Sequence, residues 1–418
     1  MSPDQPSRYR FLVEALLFLT YAAFGLSWIA ITPLMGDLQA AFHATGAQLG
    51  LITTMVSVAK VIAPVLTGAL AVRWGMKKTL LAGAALIGIA ALAPFAPDFG
   101  WFLASRFAFG VGGAVVVTLM GPMVMQWFPR HELPIVNAFN NVAVNTGITV
   151  TLFATAPLAG VLGWQHTLVA YGVLSLVLAG AWAVFGRERV LEATAEAAPA
   201  DVRYRDVWAM RETWLIALAF AGPLALYLAF NTWLPKHFME AYHMTKGAAA
   251  SYTGLFNLVG IPTAIAFGFL TRAAGVRRPF IIGAGLLMAV SALGMIFAGT
   301  PALITVSAVG LGIALFAYVA PLFTIPMELP GMTPRHVSLM MGTVYSLAYF
   351  VSSFSPVAVG ALHDRLGSYA PGLAIWAVGS LVLALAGVLL PETGPRGAKA
   401  ARLVVAGPVA EREACPAG

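Results

Sequence analysis

Two basic residues of this sequence lie inside long apolar runs, where a positive charge is expensive to bury. Lys60 falls near the middle of the run 47–72, about 18 Å and 21 Å from the ends of a helix from Gln48 to Trp74. A charged side chain at that depth in a bilayer costs about 2.5–3.5 kcal/mol, so it normally faces a cavity or a partner. Arg106 lies about 10 Å inside the run 100–127. Two buried cations of this kind favour a site that contacts an anion.

The helical face that carries Lys60 is small and polar. The residues that share this face, at helical spacing from Lys60, are Thr53, Ser57, Pro64, Thr67 and Gly68. We expect such a face to line a pore rather than to contact lipid. The acidic residues nearest to the apolar runs stand only at their ends, and these are Glu14, Asp37 and Glu328. The sequence therefore offers Lys60 no counter-ion at mid-membrane.

Three interpretations of Lys60 stay open, and two of Arg106. Lys60 pairs with an anionic substrate, or it is neutral because burial disfavours its charge, or it hydrogen-bonds carbonyl groups at a helix end. Arg106 keeps its proton in a protein. It is either an anion contact or a structural residue that satisfies the carbonyl groups of a broken helix.

Further polar side chains inside the apolar runs could complete such a site. Asn137, Asn141, Asn145 and Thr149 follow one another at i+4 spacing, and their side chains can bind an oxyanion or a neighbouring helix. We predict helix packing for Asn137 and cavity lining for Asn141 and Asn145. The remaining candidates have amide, phenol or indole groups that either line the cavity or simply pack, and they are Tyr21, Trp28, Tyr227, Asn231, Asn257, Tyr318, Tyr345 and Tyr349.

The elements that position these residues follow from composition. The chain of 418 residues is 60% hydrophobic and only 10% charged, whereas a soluble domain carries about 25% charged residues. This excludes a soluble enzyme, a disordered chain and a nucleic-acid-binding domain. Twelve apolar runs are long enough to cross a bilayer as helices, and they are 12–35, 47–72, 80–97, 100–127, 135–157, 166–186, 213–235, 248–271, 279–298, 301–326, 337–361 and 371–391. The predicted fold is an all-α membrane protein.

The basic residues predict the orientation of these spans. With twelve spans, 19 of the 24 Lys and Arg residues fall on the side of the termini. Three fall on the other side, namely Lys236, Lys246 and Arg365. Cytoplasmic loops carry the excess of positive charge, so we expect both termini in the cytoplasm and the chain in a bacterial inner membrane. The net charge of +7 is thus a signal of topology rather than of a nucleic-acid partner.

A repeat with an offset of 200 residues divides the chain into two halves. The segments 68–78 and 268–278 share the pattern G-x-L-x₄-G-x-[KR]-[KR], and Phe42-His43-Ala44-Thr45 matches Tyr242-His243-Met244-Thr245. We predict two six-helix bundles at 1–186 and 213–391, a cytoplasmic linker at 187–212 and a cytoplasmic tail at 392–418. Repeats of this kind place a substrate site near the midplane, between the halves.

The loop after the second span resembles that of the major facilitator superfamily, whose pattern is G-x-L-A-D-R-x-G-R-[RK]. The sequence keeps most of this pattern but has Val72 where the family usually has Asp and Met76 where it usually has Arg. The segment 106–112 is similar to the family's R-x-x-x-G-x-G element. The resemblance implies twelve helices, a cavity lined by spans 1, 4, 7 and 10, and gating-loop residues, which would be Gly68, Arg73, Gly75, Lys77, Gly268, Arg272 and Gly275.

A narrower resemblance concerns the branch of the superfamily. Trp233-Leu234-Pro235 and the segment 254–262 look like the cyanate permeases, and the Asn-rich start of span 5 is similar to nitrate and nitrite porters. Both branches move small anions. The G-x-x-x-G-P-x-x-G-G element of drug exporters is absent from span 5, where only the segment 156–160 stands.

The sequence therefore predicts a transporter, not an enzyme, that moves a small organic or inorganic anion by alternating access. No G-x-x-x-x-G-K-[ST] motif is present, so we expect no ATP. We also expect no metal, no cofactor, no catalytic residues and no nucleic acid, and a monomer whose partners are the bilayer and the anion. The alternatives are an efflux pump for lipophilic or drug-like compounds and, more remotely, a receptor that does not translocate. Exchange, uniport and proton coupling through Lys60 itself stay open.

Overall fold

A computed structural model describes residues 8–129, 132–189, 203–332 and 334–396. Within these ranges the chain forms α-helices joined by short turns and no strand. The helices of the N-terminal half are α1 (Tyr9–Ile29), α2 (Met35–Phe42), α3 (Gly46–Trp74), α4 (Met76–Gly88), α5 (Phe99–Trp127), α6 (Leu133–Asn141) and α7 (Ala143–Phe185).

The C-terminal half begins with a short helix in the region between the halves. Its helices are α8 (Tyr204–Trp208), α9 (Arg211–Ala241), α10 (Lys246–Ala274), α11 (Arg278–Phe297), α12 (Pro301–Ala317), α13 (Val319–Glu328), α14 (Pro334–Leu366), α15 (Ala370–Gly379) and α16 (Val382–Leu389). Most of the predicted linker and tail, 190–202 and 397–418, lie outside the described residues.

Twelve passes across a membrane result from these helices, as the sequence predicts. Ten stretches are long and apolar enough to span by length and composition. One of them, α7, makes two passes, because Gly163 has φ 78° and ψ 161° inside it and the chain folds back there. Thr155 and Tyr171, eight residues before and after this glycine, join their hydroxyl groups at 3.1 Å. The twelfth pass is α4, which 3₁₀ turns prolong to Phe95.

The ends of predicted spans 1, 5 and 7 differ from the structure by six residues. Span 7, predicted to end at 235, continues through Pro235 to Ala241. Span 1 was expected to run to residue 35, but α1 ends at Ile29 and a 3₁₀ turn with Pro33 follows it. Span 5 was expected to end at 157, but the helix accommodates Pro157 and continues to the fold at Gly163. Hydropathy indicates neither the break after α1 nor a proline that a helix accommodates. This limit explains the differences at the span ends.

The repeat is visible in the backbone. His43 and His243 adopt left-handed conformations, with φ 50° and 51°, and no other non-glycine residue of the described ranges has positive φ. Two residues later, Thr45 accepts a hydrogen bond from the N–H of Gln48, and Thr245 accepts one from the N–H of Ala248. Positions 200 residues apart thus turn the chain and begin the next helix in the same way.

The outside of the bundle is apolar, as contact with lipid requires. Large hydrophobic side chains that a soluble protein would bury are exposed, among them Val72, Val161, Phe269 and Val290. Inside, the N-terminal half packs around α1 and α5, and the C-terminal half packs around α9. The core of the C-terminal half continues into apolar residues of the other half, which are Ile31, Met35, Leu38, Leu49 and Ile52.

The two halves meet along α3 with α14 and along α7 with α10. We call the side with the turns at 75 and 275 the basic face, and the side with the turns at 43 and 243 the opposite face. Near the opposite face, the carboxylate of Asp364 accepts hydrogen bonds from the N–H groups of Gly46 and Ala47, at 2.8 and 2.9 Å. Lys246 also forms an ion pair with Asp37 across the halves. These contacts close the opposite face.

Two glycines of the repeat near the basic face have open surroundings. A Cβ atom on Gly68 or on Gly268 would meet no other residue within 4 Å.

Candidate substrate-binding site

The side chain of Lys60 lies in a cage of aromatic rings. Its Nζ atom is 3.9 Å from the ring centre of Trp28, 5.0 Å from that of Phe24 and 5.2 Å from that of Tyr349. Lys60 is 7% exposed. Within the described residues no hydrogen bond or ion pair reaches its ammonium group. Ring faces attract a cation by about 0.5–2 kcal/mol each, so the cage provides a stabilisation that the sequence analysis did not consider.

Local structure explains how this cage is assembled. Phe24 and Trp28 are one turn apart on α1, so their rings lie on the same face of that helix. The Phe24 ring also stacks on Phe109 of α5, at 4.8 Å between ring centres. Tyr349 comes from α14 of the C-terminal half, so the cage spans both halves. Sequence reasoning missed Phe24, although its i−4 spacing from Trp28 was a usable signal.

Arg106 has the contacts of the structural alternative. Its guanidinium donates to the carbonyl oxygens of Trp28, at 2.9 Å, and of Ser27, at 3.3 Å. These carbonyl groups belong to the last turn of α1, where a helix leaves its acceptors unpaired and favours a positive charge. The carbon of the guanidinium also lies 4.5 Å from the ring centre of Phe109. Arg106 therefore holds the backbone that carries Trp28.

Four other predicted residues form one hydrogen-bonded network, which we call the amide–phenol network. The hydroxyl of Tyr227 is 3.0 Å from Oδ1 of Asn145 and 3.0 Å from Oδ1 of Asn257. Nδ2 of Asn257 donates to Oδ1 of Asn231 at 2.9 Å and to the carbonyl of Thr253 at 3.1 Å. The network joins α7 of the N-terminal half to α9 and α10 of the other half.

The orientation of one amide in this network follows from proton counting. A phenol has a single proton and cannot donate to two amide oxygens. The amide of Asn257 is fixed by its two donations, so Tyr227 donates to Asn257. The amide of Asn145 must then turn its Nδ2 group toward the phenol oxygen, an orientation that coordinates alone do not distinguish. The network is uncharged, so it cannot neutralise Lys60.

The remaining phenols line the same region. Tyr21 lies near the phenols of Tyr227, Tyr345 and Tyr349, and its ring stacks on Phe24 with 5.7 Å between the ring centres. Tyr318, at the break between α12 and α13, is buried in the apolar core against which Tyr349 packs. Tyr345 also contacts the rings of two phenylalanines, Phe220 and Phe323. The structure thus brings the five predicted tyrosines to one region.

The asparagine stripe of span 5 is divided by a break in the helix. Helix α6 ends at Asn141 and α7 begins at Ala143, so the i+4 series does not stay on one face. Asn145 joins the amide–phenol network, whereas the side chain of Asn141 lies outside the described part of the structure. The packing expected for Asn137 is wrong, because this residue is exposed while Asn140 is buried.

Glu14 lies near the start of α1, as expected for the end of a span, but its side chain is buried. It is 9% exposed, and its carboxylate lies beside the amide of Asn140. Fourteen residues of helix separate it from Trp28, or about 21 Å. This acid is therefore buried but remote from the cage around Lys60.

The glycines of the predicted gating loop adopt the conformations that the turns require. Gly75 has φ 83° and Gly275 has φ 64°, values that other residues rarely adopt, and each N–H bonds to a carbonyl one turn earlier. Arg73 and Arg272 are exposed and make no polar contact within the described residues. Lys77 contributes its backbone N–H, which bonds to Glu188 at 3.1 Å.

The ion pair of these loops lies at a residue that the sequence analysis did not select. Arg277 pairs with Glu328 at 2.7 Å and 3.2 Å, and its guanidinium also donates to the carbonyl of Thr271 at 2.8 Å. Arg277 lies 200 residues after Lys77, at the same position of the repeat. This correspondence is the sequence signal by which Arg277 could have been selected. Arg272, which the resemblance indicated, has no such partner among the described residues.

Two glutamates occupy matching positions at the basic face. Glu188 accepts hydrogen bonds from the N–H groups of Met76 and Lys77, both at 3.1 Å. Glu392 accepts them from Arg277 and Arg278, at 2.8 and 3.0 Å. A carboxylate at a helix N-terminus is stabilised by the unpaired N–H groups and the helix dipole. Each glutamate thus ties the last helix of its half to the loop after the second helix.

Twelve membrane-crossing helices in two repeated halves, with a polar site enclosed between them, define a membrane transporter. The chain belongs to the Major Facilitator Superfamily, whose family model matches residues 17–335.

Relatives and solved structures agree with this family. The chain is 22% identical to the nitrite extrusion protein of Bacillus subtilis, over 86% of this chain and 89% of that protein. It is 21% identical to the 2-nitroimidazole transporter of Escherichia coli, over 93% and 97%. A bacterial homologue of the human lysosomal transporter Spinster has a similar fold, with a TM-score of 0.76 and 16% identity over 92% of this chain and 96% of that chain. The predicted fold and superfamily are confirmed.

Proposed function

We propose that this transporter moves a small anion across the bacterial inner membrane by alternating access, with Lys60 as its central contact. The observation that carries the proposal is the Lys60 ammonium, which lies where the two halves meet and has no acidic partner among the described residues. The nitrite extrusion protein among its relatives is named for a small anion. An anion that enters this region meets one cation, phenol hydroxyls and amides.

The aromatic cage gives Lys60 a stable state between substrates. Each ring contact stabilises the ammonium by about 0.5–2 kcal/mol. Three such contacts together are of the same order as the cost of a charge at mid-membrane, which is about 2.5–3.5 kcal/mol. Ring faces do not accept directional hydrogen bonds as an oxygen does, so the ammonium hydrogens stay available. The cage thus allows the empty protein to persist and leaves the donors of Lys60 for an anion.

Alternating access follows from how the halves meet. The excess of basic residues supports an orientation with the basic face in the cytoplasm. In that orientation the structure, whose halves are joined at the opposite face, would be an inward-facing state. The outward-facing state requires Asp364 to leave the N–H groups of Gly46 and Ala47. Because Lys60 and Tyr349 belong to different halves, that movement also changes the cage. We propose exchange or uniport as the mode of transport.

Uptake into reconstituted vesicles tests the proposal. Purified wild type, Lys60→Gln and Lys78→Gln are reconstituted at equal density, and uptake of labelled nitrite is measured. Lys78 is exposed at the basic face and serves as the matched control. We expect Lys60→Gln to lower uptake to the level of empty vesicles and Lys78→Gln to match the wild type. Uptake by Lys60→Gln at the wild-type rate would remove the main support for an anion site.

The aromatic lining favours a second candidate function, the export of small lipophilic compounds. Three aromatic rings contact the ammonium of Lys60, and the other predicted tyrosines and the neutral amide–phenol network add further uncharged side chains. One relative is named as a 2-nitroimidazole transporter. The same vesicles separate the two functions. Transport of 2-nitroimidazole that persists in Lys60→Gln, with no nitrite uptake by the wild type, supports this second function.

A further inference from the structure

Three side chains at the end of α1 and beside it contain buried hydrogen-bond donors without acceptors. The indole Nε1 of Trp28, the Nε of Arg106 and the hydroxyl of Ser27 have no hydrogen-bond partner in the described residues. An indole N–H can only donate, so no rearrangement of its own satisfies it. Leaving a buried donor unpaired destabilises a protein. The region therefore lacks acceptors, and a ligand that brings them would be favoured.

The ammonium of Lys60 packs against the indole that carries one of these donors. Nζ of Lys60 lies 3.9 Å from the ring centre of Trp28. Arg106 donates to the carbonyl of Trp28 and thereby fixes the backbone that carries this indole. Trp28 is 3% exposed, so its orientation is set by packing. The unpaired N–H group and the ammonium thus belong to two side chains in contact.

The two basic residues inside the described spans have different contacts. Two guanidinium nitrogens of Arg106 are bonded to carbonyl groups at the end of α1. These carbonyl groups are neutral, so Arg106 keeps its positive charge and adds to the attraction for an anion. The ammonium of Lys60, which has no hydrogen bond among the described residues, is the cation left to contact the anion directly.

We propose that Trp28 is the second hydrogen-bond donor of the substrate site and that the site selects anions with two acceptor oxygens on one planar group, such as nitrite or a carboxylate. This inference rests on the proposed function, because it requires that Lys60 binds the anion. It adds a specificity residue: the ammonium supplies the charge, and the indole N–H selects an oxyanion over a spherical anion.

Binding by the purified full-length protein tests the inference. The dissociation constants of nitrite, acetate, chloride and sulfate are measured by calorimetry for the wild type, Trp28→Phe, Trp101→Phe and Lys60→Gln. Phenylalanine keeps an aromatic face for Lys60 but removes the N–H group, and the exposed Trp101 provides the matched control. We expect Trp28→Phe to raise the dissociation constants of nitrite and acetate at least tenfold and that of chloride less than threefold. Trp101→Phe should change none of them.

The outcomes separate this inference from the proposed function. Wild-type binding of nitrite and acetate by Trp28→Phe, together with loss of binding in Lys60→Gln, overturns the role of Trp28 and leaves the proposed function intact. Unchanged binding by Lys60→Gln overturns both. Should Trp28→Phe not fold, the wild type alone decides: tighter binding of nitrite and acetate than of chloride and sulfate supports the selection, and the reverse order contradicts it.

Discussion

The N-terminal and C-terminal halves share a backbone repeat but differ in the chemistry of their interiors. The N-terminal half contains the two basic residues that are buried inside membrane-crossing helices, Lys60 and Arg106. At the repeat position of Lys60, 200 residues later, stands Gly260, and a Cβ there would lie 2.2 Å from the ring of Phe316. The C-terminal half thus fills with an aromatic ring the space that Lys60 occupies in the other half. The repeat supplies the scaffold, and only one copy carries the charge.

The two loops at the basic face differ in the opposite sense, because here the C-terminal half carries the ion pair. In the C-terminal half, Arg277 pairs with Glu328, while Lys77 at the same repeat position makes only backbone contacts among the described residues. Both loops keep the glutamate that binds their backbone N–H groups. The C-terminal loop is therefore held by more side-chain contacts than the N-terminal loop among the described residues.

Removing Arg106 should have the largest effect on stability. Arg106→Gln leaves the buried carbonyl groups of Ser27 and Trp28 with a weaker partner, so we expect a loss of about 3 kcal/mol in the free energy of unfolding. Detergent-unfolding titrations measure it. Arg73→Gln, at an exposed arginine of the same half, should stay within about 0.5 kcal/mol of the wild type. Equal losses in the two variants would contradict the assignment of Arg106 to the end of α1.

The unequal side-chain contacts of the two loops predict a loss of stability smaller than that expected for Arg106→Gln. Arg277→Gln leaves Glu328 without its guanidinium partner, and we expect a loss of about 1.5–3 kcal/mol. Lys77→Gln, at the equivalent position, should cost no more than about 0.5 kcal/mol. The same unfolding titration compares them, and a larger loss for Lys77→Gln would show that the N-terminal loop is the more firmly held.

The smallest loss in the free energy of unfolding is expected for a change in the amide–phenol network. Tyr227→Phe removes one hydroxyl that bonds Asn145 and Asn257, so we expect a loss of about 1 kcal/mol. Tyr345→Phe removes a hydroxyl from a residue that is 40% exposed, and its effect should be close to zero. Indistinguishable unfolding curves for the two variants would mean that this network does not join the halves energetically.

The sequence predicts the fold well because its signals are local. Hydropathy locates the spans, and the histidine and threonine pairs at 43–45 and 243–245 locate the repeat. Lys60 could be selected because a charge at mid-span is conspicuous. Its cage could not be predicted, because Tyr349 reaches it from the other half. The contacts of Arg106 depend on where α1 ends, which hydropathy does not show. Likewise, the pair of Arg277 and Glu328 joins residues 51 positions apart.

Anomalous diffraction locates the anion directly and tests the central claim, that Lys60 is the substrate contact. Crystals of the wild type and of Lys60→Gln are soaked in bromate, a monovalent oxyanion whose bromine scatters anomalously, after bromate is shown to compete with nitrite for uptake. The account predicts a bromine peak beside Nζ of Lys60, between Trp28 and Tyr349, that is absent from Lys60→Gln. A peak elsewhere in the protein, with none at Lys60, would contradict it.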